Sequence, residues 1–161
     1  MDKNLASTPP KKIGISANDT LNQVRKERAA PERMEVTDII KQDLTNNGMA
    51  DKFDEIYGKL STALSGNQYR MFRHGNSLLL LNILGKGVGE IHLMTADKPQ
   101  DVVVAAQDFA KALDKAGYKQ ITTTTNNPQI AKVAKMAADS IGATYNVKAI
   151  PGGEYQIEWR K

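Results

Sequence analysis

Two side chains that can exchange protons, Glu90 and His92, stand two residues apart. Both fall in segment 90–95, which we predict to be a strand, so their side chains should point to the same face of a sheet. A carboxylate and an imidazole are groups that serve in general acid–base catalysis. The alternative, which we favour, is a solvated carboxylate beside a histidine with ordinary sheet neighbours. These two residues are the only catalytic candidates.

A turn with three glycines, Gly85, Gly87 and Gly89, could bind phosphate through its backbone amides. The phosphate-loop motif requires a serine or threonine after its lysine and then a helix. Lys86 is followed by neither. We therefore interpret this segment as a hairpin turn.

Two further patterns have structural explanations that we prefer. Threonines at 122–125 suggest an array of hydroxyls, but such surfaces repeat the pattern over many strands, and one β-prone strand explains it. Aromatic and basic residues are interleaved at Tyr69, Arg70, Phe72 and Arg73 and could stack on nucleic-acid bases. Packing of this strand against the first helices is the simpler interpretation.

The composition excludes several kinds of site. The chain has 161 residues, 40% of them hydrophobic, with no cysteine and two histidines. A disulfide, a thiol nucleophile, a thiolate metal site and an all-histidine zinc site are therefore excluded, and we expect no metal. No apolar run approaches the roughly 18 residues of a membrane span, and residues 1–10 lack a signal-peptide core. We expect a protein of the cytoplasm or of a virion that is not secreted through a signal peptide.

The positive charge is concentrated at the N-terminus. Residues 1–34 hold seven basic and four acidic side chains, a net charge of +3 out of +4 for the chain. Because large apolar residues are few, we predict a flexible basic arm with one short helix at 20–30. Such an arm suits an acidic protein surface or phosphate groups, although the lack of interleaved aromatic residues disfavours nucleic acid. A solubilising tail is the third interpretation.

Isolated apolar residues along the arm favour docking, because a solubilising tail has no need of them. We expect the partner to be another protein, within a larger assembly. The predicted partner-binding residues are Leu5, Lys11, Lys12, Ile13, Ile15, Leu21, Arg25 and Arg28.

Residues 35–161 are predicted to form one α/β domain. Strand, helix and strand joined by a crossover make a parallel pair, so the sheet should be mixed. The tryptophan, Trp159, alternates with polar residues on the last strand and should be buried. The predicted order is a helix over 36–44 with a stop signal at 46–48, a helix over 53–64, strands 69–74, 77–84 and 90–95, a helix from 99 to 117, strand 119–125, a helix from 128 to 141, and strands 144–147 and 154–160.

This order resembles the GNAT fold of acyl-CoA N-acyltransferases, without its usual first strand. The match is carried by residues 89–147, especially segment 110–118, strand 121–125 and the helix that ends at Ile141-Gly142-Ala143. The chain is also similar to shortened GNAT-like proteins inside the particles of some short-tailed bacteriophages. The first resemblance implies an acyl-CoA site, and the second implies a structural component of a virion.

The cofactor motif of the family is broken in this chain. Family members carry Gln or Arg, two residues, Gly, one residue, then Gly or Ala, and the small residues let backbone amides reach the diphosphate. The matching residues, Gln100, Val103 and Ala105, are the cofactor-binding candidates. Val103 replaces the glycine and Asp101 places a negative charge beside the diphosphate position, so we expect no cofactor.

The catalytic tyrosine of the family falls at Ala134 or Ala138, and alanine cannot donate a proton. Glu90 matches a position where some members have a general base. The sequence therefore predicts a non-catalytic interaction protein on a degenerate acyltransferase-like domain, docking through its arm as a component of a phage particle. Two alternatives stay open: an N-acyltransferase with an unconventional acyl-CoA site, and a nucleic-acid-binding accessory protein.

Overall fold

The computed structural model describes residues 33–161, and the predicted order of helices and strands is confirmed there. The predicted partner-binding residues of the arm and its short helix lie outside the described residues. The helices are α1 (Val36–Asn46), α2 (Phe53–Leu64), α3 (Pro99–Lys115) and α4 (Pro128–Ser140), with one 3-10 turn at Ala50–Lys52. The strands are β1 (Tyr69–His74), β2 (Ser77–Gly85), β3 (Val88–Thr95), β4 (Gln120–Thr125), β5 (Thr144–Ile150) and β6 (Glu154–Arg160).

The six strands form one mixed sheet in the order β1-β2-β3-β4-β6-β5. Its one parallel pair is β3 with β4, joined by α3, and the other neighbours are antiparallel. The prediction of a mixed sheet is confirmed. Within residues 33–161, no helix is long and apolar enough to span a membrane.

Each face of the sheet carries its own apolar cluster. Helices α3 and α4 cover one face, where Leu79 and Leu81 meet Phe109. Helices α1 and α2 cover β1 to β3 on the other face, where Leu78 meets Ile40. Residues of β2 point alternately into the two clusters, so the leucine run at 78–81 is a strand covered on both faces, as predicted.

Trp159 belongs to a row of side chains that crosses the sheet beneath α3 and α4. Its side chain is 6% exposed, which confirms the predicted burial. In register, Gly89 pairs with Ile121, Ile121 with Trp159, and Trp159 with Tyr145. The row joins four strands into one packed layer.

Local sequence explains where several elements begin. Helix α3 starts with Pro99. Proline suits the first turn because it lacks the backbone N–H, a group that has no intrahelical partner at that position. Helix α4 starts after Asn127, whose side-chain oxygen accepts a hydrogen bond from the N–H of Gln129 at 2.9 Å. The β2–β3 turn contains Gly87 at φ 72°, a conformation that favours glycine. These starts match the predicted ones.

Candidate functional site

Strands β3 and β4 separate partway along their length. They pair only at Val88–Gln120, Gly89–Ile121 and Glu90–Thr122, although β3 continues to Thr95 and β4 to Thr125. Beyond that point each strand stays paired with its other neighbour, β2 or β6. The sheet is therefore open in the middle, between residues 91–95 and 123–125.

A cavity of about 930 Å³ occupies this opening. All four helices contribute to its wall, for example Leu60 of α2, Phe109 of α3 and Val133 of α4. Because α1 and α2 lie on one face of the sheet and α3 and α4 on the other, the cavity extends through the sheet. Its volume is in the range of small-molecule and cofactor sites.

Peptide groups of both strands point into the opening. The N–H of Ala96 bonds to the carbonyl of Asn76, toward β2, so by alternation the peptide groups of Leu93 and Thr95 point the other way. The N–H of Gln120 bonds to the carbonyl of Gly87, toward β3, so the peptide group of Thr124 points to the same side. The two strand edges thus face each other across the cavity.

Asp43, on α1, is a carboxylate that lines this cavity. Its Oδ1 accepts a hydrogen bond from the N–H of Thr95 at 3.1 Å. Burial raises the pKa of Asp43 above its ordinary value, while the Thr95 bond and the nearby His92 oppose that rise. The group is a half-buried carboxylate that takes up protons more readily than an exposed one.

The two predicted catalytic candidates lie on the same face of β3, as expected, and both are exposed. They line a smaller cavity of about 180 Å³ with Tyr69 and Thr124, and His92 also lines the large one. Glu90 accepts a hydrogen bond from the side chain of Asn82 at 3.2 Å. The structure thus brings His92 beside Asp43 and leaves Glu90 at the rim, and a catalytic role for either stays a prediction.

The loop between β3 and α3 is three residues long. In the family that the sequence resembles, the cofactor motif follows this strand. It is tied to the β1–β2 turn by Asp97, whose carboxylate accepts hydrogen bonds from the N–H of Asn76 at 3.1 Å and the hydroxyl of Ser77 at 2.7 Å. Asp101 stands in the first turn of α3. Two acidic residues are therefore close in the chain to the N-terminus of α3, one just before the helix and one in its first turn.

The three cofactor-binding candidates of α3 have different surroundings. Gln100 is exposed, Val103 is half-buried, and Ala105 is fully buried in the cluster under α3 and α4. Only the first two could meet a ligand, and a role for any of the three stays a prediction. Of the two positions aligned with the missing tyrosine, Ala134 lines the large cavity and Ala138 is buried in the core.

The other sequence patterns have structural roles. Phe72 packs in the α3/α4 cluster while Met71 packs in the α1/α2 cluster, so the interleaved aromatic and basic residues of β1 do not share one face. Gly85 and Gly87 form the hairpin turn. Within residues 33–161, no group of three or more His, Asp or Glu side chains could hold a metal ion.

Sequence reasoning missed Asp43 and the opening itself. Asp43 stands 52 residues in the chain from Thr95, the residue whose N–H donates a hydrogen bond to it. In the sequence of an amphipathic helix, an aspartate beside the apolar stripe cannot be told from a solvated residue. A weak signal was present: Asp43 directly precedes Leu44, a core residue of the same helix.

No protein-family model and no curated protein matches the sequence. Among solved structures, the chain is similar to a chimera of the spermidine N-acetyltransferase SpeG from Vibrio cholerae and hSSAT, at 15% identity and a TM-score of 0.53. That match covers 81% of this chain and 91% of the other. It is also similar to a point mutant of SpeG from Vibrio cholerae, at 16% identity and a TM-score of 0.50, covering 80% and 93%. At these identities the likeness concerns the fold, which is a GNAT-like α/β fold as predicted.

Proposed function

We propose that the chain is a non-catalytic interaction protein built on an acyltransferase-like domain. The observation that carries the proposal is the short loop between β3 and α3, held to the β1–β2 turn by Asp97. A diphosphate at the start of α3 would lie near two acidic residues, Asp97 in the loop and Asp101 in the first turn of the helix, and Val103 stands in place of a glycine. Negative side chains near that position oppose binding of the negatively charged diphosphate of coenzyme A.

Alanine at both candidate positions of the catalytic tyrosine supports the same proposal. Ala134 borders the cavity, so no proton donor stands at that point of the wall. The fold is then used as a scaffold, and function depends on what its surfaces and its arm bind. A place inside a phage particle is the specific form of this proposal that the sequence resemblance suggests.

Docking through the arm is tested by removing residues 1–32. The cut keeps Met34, whose N–H bonds to Asn76 Oδ1 at 3.0 Å and whose carbonyl accepts from Arg73 at 2.6 Å. We expect the melting temperature of the domain to stay the same and its co-sedimentation with the assembly that contains the full-length chain to be lost. Equal incorporation of the truncated chain at low and high salt would contradict arm docking.

A second function, N-acyl transfer, is favoured by one specific observation. His92 and Asp43 line a cavity of about 930 Å³ that opens through the sheet. A half-buried carboxylate with a raised pKa beside an imidazole could accept a proton from an amine. Such an enzyme would have to bind its donor without the diphosphate loop.

The second function is tested by measuring release of free coenzyme A from acetyl-coenzyme A. Spermidine is the first acceptor to try, because the two similar structures are named as spermidine N-acetyltransferases. We expect no turnover above the uncatalysed rate. Turnover that Asp43→Asn abolishes and Asp51→Asn leaves intact would replace the first proposal, since Asp51 is exposed and outside the cavity.

A further inference from the structure

The opening between β3 and β4 is bordered by two strand edges with no strand between them. Pairing stops at Glu90 and Thr122, and the peptide groups of Leu93 and Thr124 point into the space beyond. An extended polypeptide binds such edges through backbone hydrogen bonds, as in strand addition to a sheet. The side chains around the edges then decide which polypeptide fits.

The two sides of the opening differ in chemistry. On the α3/α4 side the wall is apolar, formed by residues such as Phe109, Ile130 and Val133. On the α1/α2 side the charged and titratable groups are Asp43, His92 and Lys59, with Glu90 in the adjoining smaller cavity. A ligand in the opening therefore meets apolar side chains on one face and carboxylates on the other.

The charge of the cavity is negative. Asp43, Asp97 and Glu154 line it, against one ammonium group, that of Lys59. Asp43 accepts a hydrogen bond from the N–H of Thr95 and interacts with the side chain of Asn47, and a carboxylate has room to accept a further hydrogen bond from a ligand. A basic group on the ligand would offset both the burial and the charge of this carboxylate.

We propose that this opening binds an extended segment of a partner protein in which apolar and basic side chains alternate. Side chains of an extended chain point alternately to opposite sides, so the apolar ones enter the α3/α4 side while the basic ones meet Asp43 and Glu90. The segment completes the interrupted sheet. This interaction goes beyond docking of the arm and does not depend on it.

The test uses the full-length protein and a fluorescent seven-residue peptide, Val-Lys-Val-Lys-Val-Lys-Val, blocked at both ends. Binding is followed by fluorescence anisotropy. We expect saturable binding, and weakening by about tenfold or more when glutamate replaces lysine or when the same residues are arranged in blocks. The proposal would be overturned if the alternating peptide did not bind. It would also be overturned if either control peptide bound as tightly as the alternating peptide.

Two variants locate the site. Ala134→Trp fills the cavity from the α4 side and should abolish binding, whereas Met136→Trp, on the same helix but 45% exposed and outside the cavity wall, should not. Asp43→Asn should weaken binding about tenfold, which tests the site even if the tryptophan variant fails to fold. Unchanged binding in Asp43→Asn would contradict the role of the carboxylate and with it the proposed ligand.

The same samples distinguish other occupants. Sedimentation of the full-length protein alone, with and without the peptide, shows whether copies associate through this opening. Self-association that the peptide reverses would identify the occupant as a second copy and overturn the assignment to a different protein.

Discussion

The two halves of β3 share β2 as a neighbour but differ on their other side. Val88 to Glu90 pair with β4, and there the sheet is so closely packed that a Cβ atom added at Gly89 would meet Leu81, Ile121 and Tyr118. From Ile91 to Thr95 there is no pairing with β4, and a cavity takes the place of the ladder. The comparison leads us to expect that substitutions at the paired end cost more stability than substitutions at the separated end.

The largest effect should come from Trp159→Ala at the paired end. Trp159 is buried beside Ile121 and Tyr145 in the row that crosses four strands. Its loss should lower the free energy of unfolding by about 3–5 kcal/mol, measured by urea denaturation. Thr124→Ala, exposed at the separated end, should change it by less than about 0.5 kcal/mol. A loss below about 1 kcal/mol for Trp159→Ala would contradict the comparison.

The next effect is expected from Gly89→Ala. A methyl group at residue 89 would lie 2.7 Å from Leu81 Cδ1 and 3.3 Å from Ile121 Cδ1, both in the core. Repacking should cost about 1–3 kcal/mol. The matched control is Gly58→Ala in α2, where nothing lies within 4 Å and a gain of up to about 1 kcal/mol is expected. Equal effects of the two substitutions on urea denaturation would show that the paired end is not tightly packed.

A smaller effect is expected at the separated end, from Asp43→Asn. Burial raises the folded-state pKa of Asp43 above its unfolded-state pKa. At pH values between these two pKa values the native state binds more protons than the unfolded state, so stability falls as the pH rises through this range. Asparagine removes this fall and still accepts from Thr95. The variant should therefore melt slightly higher than the wild type at pH 7, and the gain should vanish below about pH 3.9. A lower melting temperature at pH 7 would contradict the assignment.

Local sequence predicted the elements but not the opening. Helix starts at Pro99 and Asn127 and the strand alternation around Trp159 depend on neighbouring residues, so they could be predicted. The separation after Glu90 has no such signal, because segments 91–95 and 123–125 are as β-prone as the paired residues before them. Where β3 and β4 stop pairing is therefore not predicted by the local propensity of either strand.

The candidate site was likewise predicted only in part from the sequence. His92 and Glu90 could be placed on one face from strand alternation alone. The proximity of Asp43 to His92 depends on the packing of α1 over β3, a contact between residues far apart in the chain. The sequence shows Val103 where the family that it resembles has a glycine, whereas it did not show that Asp97 ties the loop to Asn76 and Ser77.

The most direct test of the central claim, an acyltransferase-like opening without a diphosphate site, is the melting temperature with and without acetyl-coenzyme A. A ligand present at a hundredfold excess over its dissociation constant stabilises the native state by about 2.7 kcal/mol, which a thermal scan detects as a rise of several degrees. An acetyl-coenzyme A-binding enzyme of the same fold serves as the positive control. The account predicts no change at 1 mM ligand. A clear rise in the full-length protein, lost in Ala134→Trp, would contradict it.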